Sequence, residues 1–556
     1  MGLKRMRSSL NAVFKELRIP RGSSEIILEK YIFGTTYDQM KYSILFSIET
    51  ITYMMENISF FTLALLALAL IFAYLYLTRN FDYWKKRNVY YIKPIPLFGN
   101  LLPVFGMRQI LAEWLGDLTK KIDKDYFGLF VFDKPVLVIK SPKHIKAVLQ
   151  KDFSYFQNRS SSSAFHHPIL SNFLFFTNNP KWKKLRTNAS PVFSSGKLKK
   201  MFPLMLKEAK QLCQYLRRFE NVPNVESKEI CAKYGTNVIT ISTFAVDAKS
   251  FESENAEFRN LGRKLFDFRI STAIRQFTTF LAPKFADCLR ITFIDPKVTK
   301  RLYDIFKEVL QTKIASDGLD SSLKQNDMID IFLETSRKGT NIDINDKVIA
   351  GQAMQLFIAG FETVSSILSF SLYELCIQPE IQEKLRSEIF ETIEKYNDEL
   401  TYEGVSEMKY LDMCIYETLR KYPTLPFLDR QCSADYKLPN SDLIIEKGTP
   451  VYMSTFGLHY NPEYFPEPEK YIPERFEDKS KINSDGLFYV PFGEGPRICI
   501  GNRFGILAVK TGLSLILSKY RVVPTDRTPI PIKFEVKSLV LQSTVGVPLQ
   551  FEPLAH

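Results

Sequence analysis

One short segment of the 556-residue chain combines residue types that could hold a reactive sulfur. The segment is 492–501, FGEGPRICIG, and a helix is predicted to follow over 502–519. A thiol just before a helix N-terminus meets free N–H groups and the positive end of the helix dipole, which favour the thiolate. Arg497 adds a cation, while Gly495 and Gly501 remove side chains where a flat group could approach the backbone. The segment therefore predicts an anionic sulfur at Cys499.

A second candidate is a lone carboxylate in an apolar stretch. Val348–Tyr373 contains one charged residue, Glu362. Hydropathy alone would allow a membrane span, but its Gln, Thr and Ser residues make it too polar for a helix facing lipid. We therefore predict a long core helix with Asn345 or Asp346 as N-cap. Because an unpaired buried charge is costly, Glu362 must be paired or hydrated, and it is a candidate functional residue.

The segment 492–501 resembles the haem-binding signature of the cytochrome P450 superfamily, F-x-x-G-x-R-x-C-x-G, and matches every fixed position. The likeness covers about Asp82 to the C-terminus and is greatest to insect microsomal family 6, as in LRKYPTLPFLDRQC (419–432) and CIGNRFG (499–505). Other matching motifs are W-x-x-x-R at 182–186, the oxygen-activation motif AGFET at 359–363, E-x-x-R at 417–420 and PERF at 473–476.

The resemblance implies a haem b cofactor with Cys499 as the axial iron ligand. It also implies that Phe492 packs near the thiolate and limits water there. Haem carries two propionates, which cations can bind. The side chains that the resemblance assigns to them are Arg159, Trp182, Arg186, Arg430 and Arg497.

The central helix is implied to carry the catalytic residues Ala359, Gly360, Glu362 and Thr363. Protonation of oxygen needs a relay from bulk water, and a hydroxyl beside a carboxylate supplies one. We expect Gly360 to let the helix bend and leave room for oxygen. Val364 departs from the family pattern, in which many members carry Thr or Ser, and this bears on a side branch of the relay.

The fold class implied is mainly α with small β-sheets, namely the cytochrome P450 fold, with a single large haem domain over 98–556 behind an N-terminal transmembrane helix. Glu417 and Arg420 share one helix face, and with Arg475 they are implied to form a buried structural network. Tyr126–Phe132 and Val136–Lys140 predict a β-hairpin turning at Asp133-Lys134-Pro135, and Leu487–Pro491 resembles a strand. Helices are predicted over 142–151, 181–189, 204–219, 225–246, 300–315, 379–397 and 408–421.

A membrane anchor is predicted over 54–78, because Ile58–Leu77 holds no charge and is long enough to cross a bilayer. A buried core helix would keep a polar stripe, and a cleaved signal peptide would have a shorter apolar region. Five Lys or Arg in 78–97, against one in 38–57, place the body on the cytosolic side. We interpret 79–97 as a basic, proline-rich linker and 1–53 as an over-extended gene model or a lumenal extension. Tyr74, Tyr76, Tyr83 and Trp84 are expected to form an aromatic belt at the membrane surface.

Composition limits the classes of partner. Five His argue against a zinc or di-iron enzyme, and seven Cys without paired spacing argue against a disulfide framework, so six of them are expected in the core. The net charge of +13 suits an anionic membrane or an acidic protein, and no feature calls for nucleic acid. The chain has no dinucleotide fingerprint, so its electrons come from another protein.

The resemblance names that electron donor as NADPH–cytochrome P450 reductase, with cytochrome b5 as a further partner, at the endoplasmic reticulum membrane. Lys181, Lys183 and Lys184 are a candidate docking patch. The other reactants are O2 and a lipophilic substrate, since 158–178, 255–285 and 424–429 are rich in Phe, Leu and Ile. Family 6 suggests a xenobiotic, either a plant toxin or an insecticide. The alternatives are an endogenous hormone or lipid hydroxylase, a reductase-independent haem-thiolate isomerase or dehydratase, and a haem-binding sensor or carrier.

Overall fold

A computed structural model of the protein describes residues 60–162, 164–316, 328–330 and 346–555. The described chain forms two units, which divide between Arg79 and Asn80. The first contains helix α1 (Phe60–Thr78), which carries no charged residue. Segment 1–53 and positions 54–59 of the predicted anchor lie outside the described residues, as does Asn345.

The second unit is mainly helical, with three small sheets among its described residues. The predicted helix over 181–189 is confirmed, whereas the helix predicted over 204–219 begins at Ser195 because it continues through Pro203. The helices are α2 (Leu102–Phe105), α3 (Leu111–Lys121), α4 (Pro142–Lys146), α5 (Lys181–Ala189), α6 (Ser195–Leu216), α7 (Ser227–Phe244), α8 (Glu257–Leu265), α9 (Ile270–Leu281), α10 (Pro283–Cys288), α11 (Pro296–Ser316), α12 (Asp346–Ile377), α13 (Pro379–Lys395), α14 (Tyr402–Glu407), α15 (Lys409–Lys421), α16 (Thr455–His459) and α17 (Asn502–Leu517).

The described strands form three small sheets, in which segments far apart in the sequence pair with one another. Strands β1, β2, β7 and β4 form one sheet in that order, β3, β9 and β8 a second, and β5 and β6 a third. The pairing is antiparallel except between β2 and β7. The strands are β1 (Tyr126–Val131), β2 (Lys134–Ile139), β3 (Val225–Glu226), β4 (Phe427–Gln431), β5 (Tyr436–Lys437), β6 (Ile444–Ile445), β7 (Pro450–Ser454), β8 (Tyr520–Pro524) and β9 (Pro548–Pro553).

The core is organised around α12, which confirms the long central helix. Among the described helices, α12 alone is long and apolar enough by composition to cross a membrane, and Thr62–Thr78 in α1 is a shorter apolar segment. However, 78% of the most apolar window of α12 is buried inside the unit, where α7, α11, α15 and α17 pack around it. A helix that is apolar on all sides is expected in such a position.

The predicted hairpin is confirmed as β1 and β2, but its turn lies earlier than expected. Phe132 has a positive φ of 57°, and Pro135 pairs with Phe130 inside the ladder. The turn is therefore at Phe132-Asp133. Proline is tolerated close to the start of a strand, where its missing N–H is not needed, so Pro135 does not mark the turn.

The segment expected to be a linker packs on the second unit from Asn80 onward. Trp84 is 1% exposed, and its Nε1 donates to the Leu129 carbonyl at 3.2 Å. A Cβ at Gly128 would lie 2.4 Å from the Trp84 ring, so only glycine allows this contact. Tyr91 then bridges to Gly128 as a strand neighbour would. Trp84 is thus a core residue and does not belong to an aromatic belt.

The strand expected over Leu487–Pro491 is not formed. The backbone N–H groups of Phe488 and Tyr489 both donate to the Asn483 side-chain oxygen, each at 2.9 Å. The N–H of Val490 donates to Nε2 of His459 at 3.0 Å. Side chains therefore satisfy the donors that a neighbouring strand would otherwise have accepted.

Candidate active site

Most of the predicted site residues line one cavity, with a volume of about 310 Å³. The cavity lies between α12, the loop that precedes α17, α5 and β4. Gly360, Gly495, Gly501 and the Glu417 network do not line it. The predicted residues on its wall are Arg159, Trp182, Arg186, Ala359, Glu362, Thr363, Arg430, Phe492, Arg497 and Cys499.

The cysteine loop is held by its own backbone and by a neighbouring segment. The Cys499 N–H donates to the Phe492 carbonyl at 2.9 Å. Gly495 has a φ of +73°, and a Cβ there would lie 1.8 Å from the carbonyl oxygen of Leu149. A Cβ at Gly501 would meet the Phe193 ring at 3.6 Å, which is an ordinary contact. Gly495 therefore allows two backbone segments to approach, and neither glycine opens the cavity wall as the sequence suggested.

Cys499 is exposed to the cavity, although protein atoms surround it on the other sides. Burial raises the pKa of the Cys499 thiol, while the Gly501 N–H and the nearby Arg186 lower it. The raised pKa differs from the expectation based on the helix dipole, because burial outweighs the local positive charges. A metal cation on the cavity side would stabilise the thiolate. Of the other six cysteines five are buried, and Cys288 is exposed rather than in the core.

Two of the predicted arginines donate hydrogen bonds to backbone carbonyls. Arg497 donates to the carbonyls of Gln157 at 2.6 Å and Thr177 at 2.8 Å, and it lies 4.4 Å from the Trp182 ring centroid. Arg186 donates to the Ile498 carbonyl at 2.8 Å. These two side chains fix the cysteine loop in place as well as facing the cavity.

Two others keep donors that have no partner among the described residues. The Nε atoms of Arg159 and Arg430 are both buried without a described hydrogen-bond partner, and both residues line the cavity. Burial, followed by repulsion from Arg159, lowers the pKa of Arg430 to about 9. Anions at the cavity edge would satisfy these donors and relieve the repulsion. A haem fits this donor set, because it brings two carboxylates and a metal for the Cys499 sulfur.

Thr363 lines the cavity from the middle of α12. Its hydroxyl donates to the Ala359 carbonyl at 2.8 Å, as threonines in helices do. Gly360 has another role than the one expected, because a Cβ there would lie 2.6 Å from Cδ1 of Ile239 on α7. The helix is continuous at this position, so Gly360 allows α7 to pack closely and does not itself enlarge the cavity.

The predicted pairing of Glu362 is confirmed. Its Oε1 accepts from Nζ of Lys228 at 2.8 Å and from the Ser366 hydroxyl at 3.3 Å. Lys228 also contacts the hydroxyls of Ser365 and Ser366 at 2.8 and 2.9 Å. Next to Val364, Ser365 therefore supplies a hydroxyl on the side facing α7. The sequence alone does not identify Lys228, because it lies 134 positions before Glu362.

Glu417, Arg420 and Arg475 come together beneath α15. Arg420 donates to both carboxylate oxygens of Glu417, at 2.7 and 2.8 Å, and both side chains are fully buried. Arg475 lies 3.3 Å from Glu417, and the Ile472 N–H donates to the same carboxylate at 2.9 Å. The cluster joins α15 to the segment that precedes the cysteine loop.

Most of the remaining cavity wall is apolar. The three segments expected to line a substrate pocket all contribute, and the C-terminal residues Leu539 and Val540 join them. No periodic pattern or motif in the sequence marks those two residues. Besides Phe492, the phenylalanines that line the cavity are Phe173, Phe175, Phe176, Phe266, Phe280 and Phe293.

Comparison with known proteins agrees with this geometry. The family model described as Cytochrome P450 matches residues 91–549. Cytochrome P450 6k1 of Blattella germanica is 40% identical over 88% of this chain and 96% of its own length. Cytochrome P450 6j1 of the same insect is 37% identical, covering 85% and 94%. Probable cytochrome P450 6a13 of Drosophila melanogaster is 34% identical, covering 86% and 96%. The chain therefore belongs to the cytochrome P450 family, within insect family 6, and is a haem-dependent monooxygenase.

Proposed function

We propose that this enzyme binds haem b and inserts one atom of O2 into a lipophilic xenobiotic, either a plant toxin or an insecticide, with electrons from NADPH–cytochrome P450 reductase. One observation carries the proposal. The sulfur of Cys499, the unpartnered donors of Arg159 and Arg430, and the hydroxyl of Thr363 border a single cavity with a phenylalanine wall. Haem bound there supplies the activation of O2.

The protein's own residues have distinct tasks in this proposal. Cys499 binds the iron through its thiolate, and Arg159 and Arg430 donate to the propionates. Thr363 and Glu362 pass protons toward the oxygen from the side of α7, where Lys228 holds the carboxylate. Phe492, on the cavity wall, limits water near the sulfur.

The lining supports an apolar substrate. Gln355 is among the few polar side chains on the wall, and its Oε1 already accepts from the Phe175 N–H at 2.9 Å. A substrate therefore meets aromatic and aliphatic surface with few groups to fix a polar head. Hydroxylation of such a molecule makes it more soluble in water, which suits detoxification.

Membrane attachment and partner docking belong to the same proposal. We assign α1 as an anchor in the endoplasmic reticulum membrane, with the catalytic unit in the cytosol. Lys181, Lys183 and Lys184 are exposed on α5, the helix whose Arg186 reaches the cysteine loop. We assign these lysines to the docking face for the acidic reductase, with cytochrome b5 as a further donor. Reversing all three charges should slow reduction at low salt and leave the haem spectrum unchanged.

The decisive experiment uses the full-length protein in microsomes. The ferrous carbon monoxide complex should show the absorption band of a thiolate ligand, and its absence would refute the haem assignment. Purified reductase and NADPH should then give oxygen consumption that rises with lipophilic plant compounds or insecticides. Turnover without NADPH would point to an isomerase, and turnover of steroids or fatty acids alone would contradict detoxification.

A further inference from the structure

A buried carboxylate lies among the arginines of the cavity. Asp429 is in β4, where it is paired with Tyr452 of β7, and it is 1% exposed. It lies in the family-like stretch LRKYPTLPFLDRQC, but the resemblance assigns it no role. Because a fully buried carboxylate is retained only when it is paired, its partners indicate what it does.

Asp429 holds one particular arginine. Its Oδ1 accepts from Nη1 of Arg159 at 2.7 Å, while its Oδ2 accepts from the backbone N–H and the hydroxyl of Ser160 at 2.7 and 3.0 Å. The other side of the Arg159 guanidinium lies 3.9 Å from the Phe175 ring centroid. Arg159 is therefore fixed from two directions, and its buried Nε is left without a described partner.

Asp429 acts against the positive charges of the cavity. Burial, together with Arg159, Arg430 and Arg186, lowers the pKa of Arg497, and Asp429 opposes this shift. Burial by itself would raise the pKa of Asp429, but Arg159 and Arg430 outweigh it and hold that pKa below its usual value. Asp429 therefore offsets part of the positive charge that the arginines bring to the cavity.

We propose that Asp429 is a positioning residue for the haem. It orients Arg159 toward a propionate, and it offsets one positive charge of the arginine cluster in the cavity. Asp429 acts through Arg159 and does not itself bind the cofactor. The inference rests on the proposed haem binding, and it adds a residue that controls how firmly the haem is held and how readily the iron is reduced.

The test compares the wild-type protein, full-length and loaded with haem, with Asp429→Asn. Losing a charged hydrogen bond should speed haem transfer to apomyoglobin about tenfold. Removing a negative charge should also shift the reduction potential upward, because reduction adds an electron. Asp412→Asn is the matched control, since Asp412 pairs with Lys510 at 2.8 Å and does not line the cavity. It should change neither quantity.

The double variant Asp429→Asn/Arg159→Gln separates charge balance from a structural role. It removes one positive and one negative charge, so the net charge is that of wild type, and the potential should return to the wild-type value while haem is still lost quickly. This variant also carries the test if the single variant does not fold. An unchanged potential and haem-loss rate in Asp429→Asn, or a double variant whose potential stays high, would overturn the proposal. A wild-type protein without the thiolate band would instead refute haem binding itself.

Discussion

The ammonium of Lys228 lies 2.8 Å from Oε1 of Glu362 and ties the start of α7 to the middle of α12. The Glu362 side chain is 7% exposed and the Lys228 side chain 22%. The pair therefore connects a carboxylate on the cavity wall with a cation nearer to solvent. A residue on a neighbouring helix thus sets the orientation of the Glu362 carboxylate.

The variant Lys228→Met should impair the relay without removing the haem. Glu362 would lose the cation that orients it, so protons should reach the oxygen more slowly. We expect a smaller share of the NADPH consumed to appear as product, with an unchanged carbon monoxide spectrum. Lys228→Arg, which restores the cation, is the control. Equal coupling in Lys228→Met and wild type would contradict this role.

The hydroxyl of Thr363 should matter for coupling more than for folding. Thr363→Ala removes only the hydroxyl and a methyl from the cavity wall, so haem should still bind. Reducing equivalents should be diverted to hydrogen peroxide, which can be measured beside NADPH and product. Thr363→Ser keeps the hydroxyl and should retain most coupling. If Thr363→Ala forms product as efficiently as wild type, the relay does not use this residue.

The sulfur of Cys499 should be irreplaceable as the iron ligand. Cys499→Ser should abolish monooxygenation and the thiolate-type carbon monoxide band, because the hydroxyl does not donate electrons as a thiolate does. Cys288→Ser, at an exposed cysteine that does not line the cavity, is the control and should behave as wild type. A thiolate band that persisted in Cys499→Ser would place the ligand elsewhere.

The buried ion pair between Glu417 and Arg420 should contribute more to the free energy of unfolding than an exposed pair does. Glu417→Gln would leave a fully buried guanidinium without its counter-ion, at a cost of about 3 kcal/mol in the free energy of unfolding. Lys300→Ala breaks a solvent-exposed pair with Asp304 and should cost far less. Thermal or urea unfolding of both variants measures the contrast. Equal destabilisation by the two substitutions would argue against the structural network.

His459 should make stability depend on pH. Burial, helped by Arg420, lowers the pKa of His459 to about 3. Below its ordinary value near 6.5 the unfolded chain binds a proton that the folded protein does not, so stability falls as the pH drops toward 3. The loss from this group is about 1.4 kcal/mol per pH unit. His459→Gln should lack this contribution, so its unfolding free energy should fall less steeply between pH 6 and pH 4 than that of wild type.

Local motifs predicted several of the longer helices, and they marked ten residues that line one cavity. A thiol and its glycines, a lone carboxylate in an apolar stretch, and an E-x-x-R pair each leave a signal within a few residues. The sequence also indicates that Glu362 needs a partner, since a buried charge cannot stay unpaired. The sequence does not show where such partners lie. Lys228 and Asp429 reach the site through helix packing and strand pairing between segments that are distant in the sequence.

Some local signals were misleading for the same reason. Pro135 suggested a turn but lies in a strand, and Leu487–Pro491 has strand-like residues but is held by side chains. Gly360 and Gly495 suggested open space at the site. In the structure each is needed for close packing against another segment, which a sequence window does not contain.

The burial of Trp84 against Gly128 has a practical consequence for making a soluble form of this enzyme. A deletion that starts the chain at the proline-rich stretch 93–96 would discard the indole and leave its groove beside β1 open to water. Starting the recombinant chain at Asn80 removes α1 but keeps the Trp84 indole packed against Gly128. We therefore expect the longer version to yield monodisperse material for crystallisation, and the shorter one to aggregate during purification.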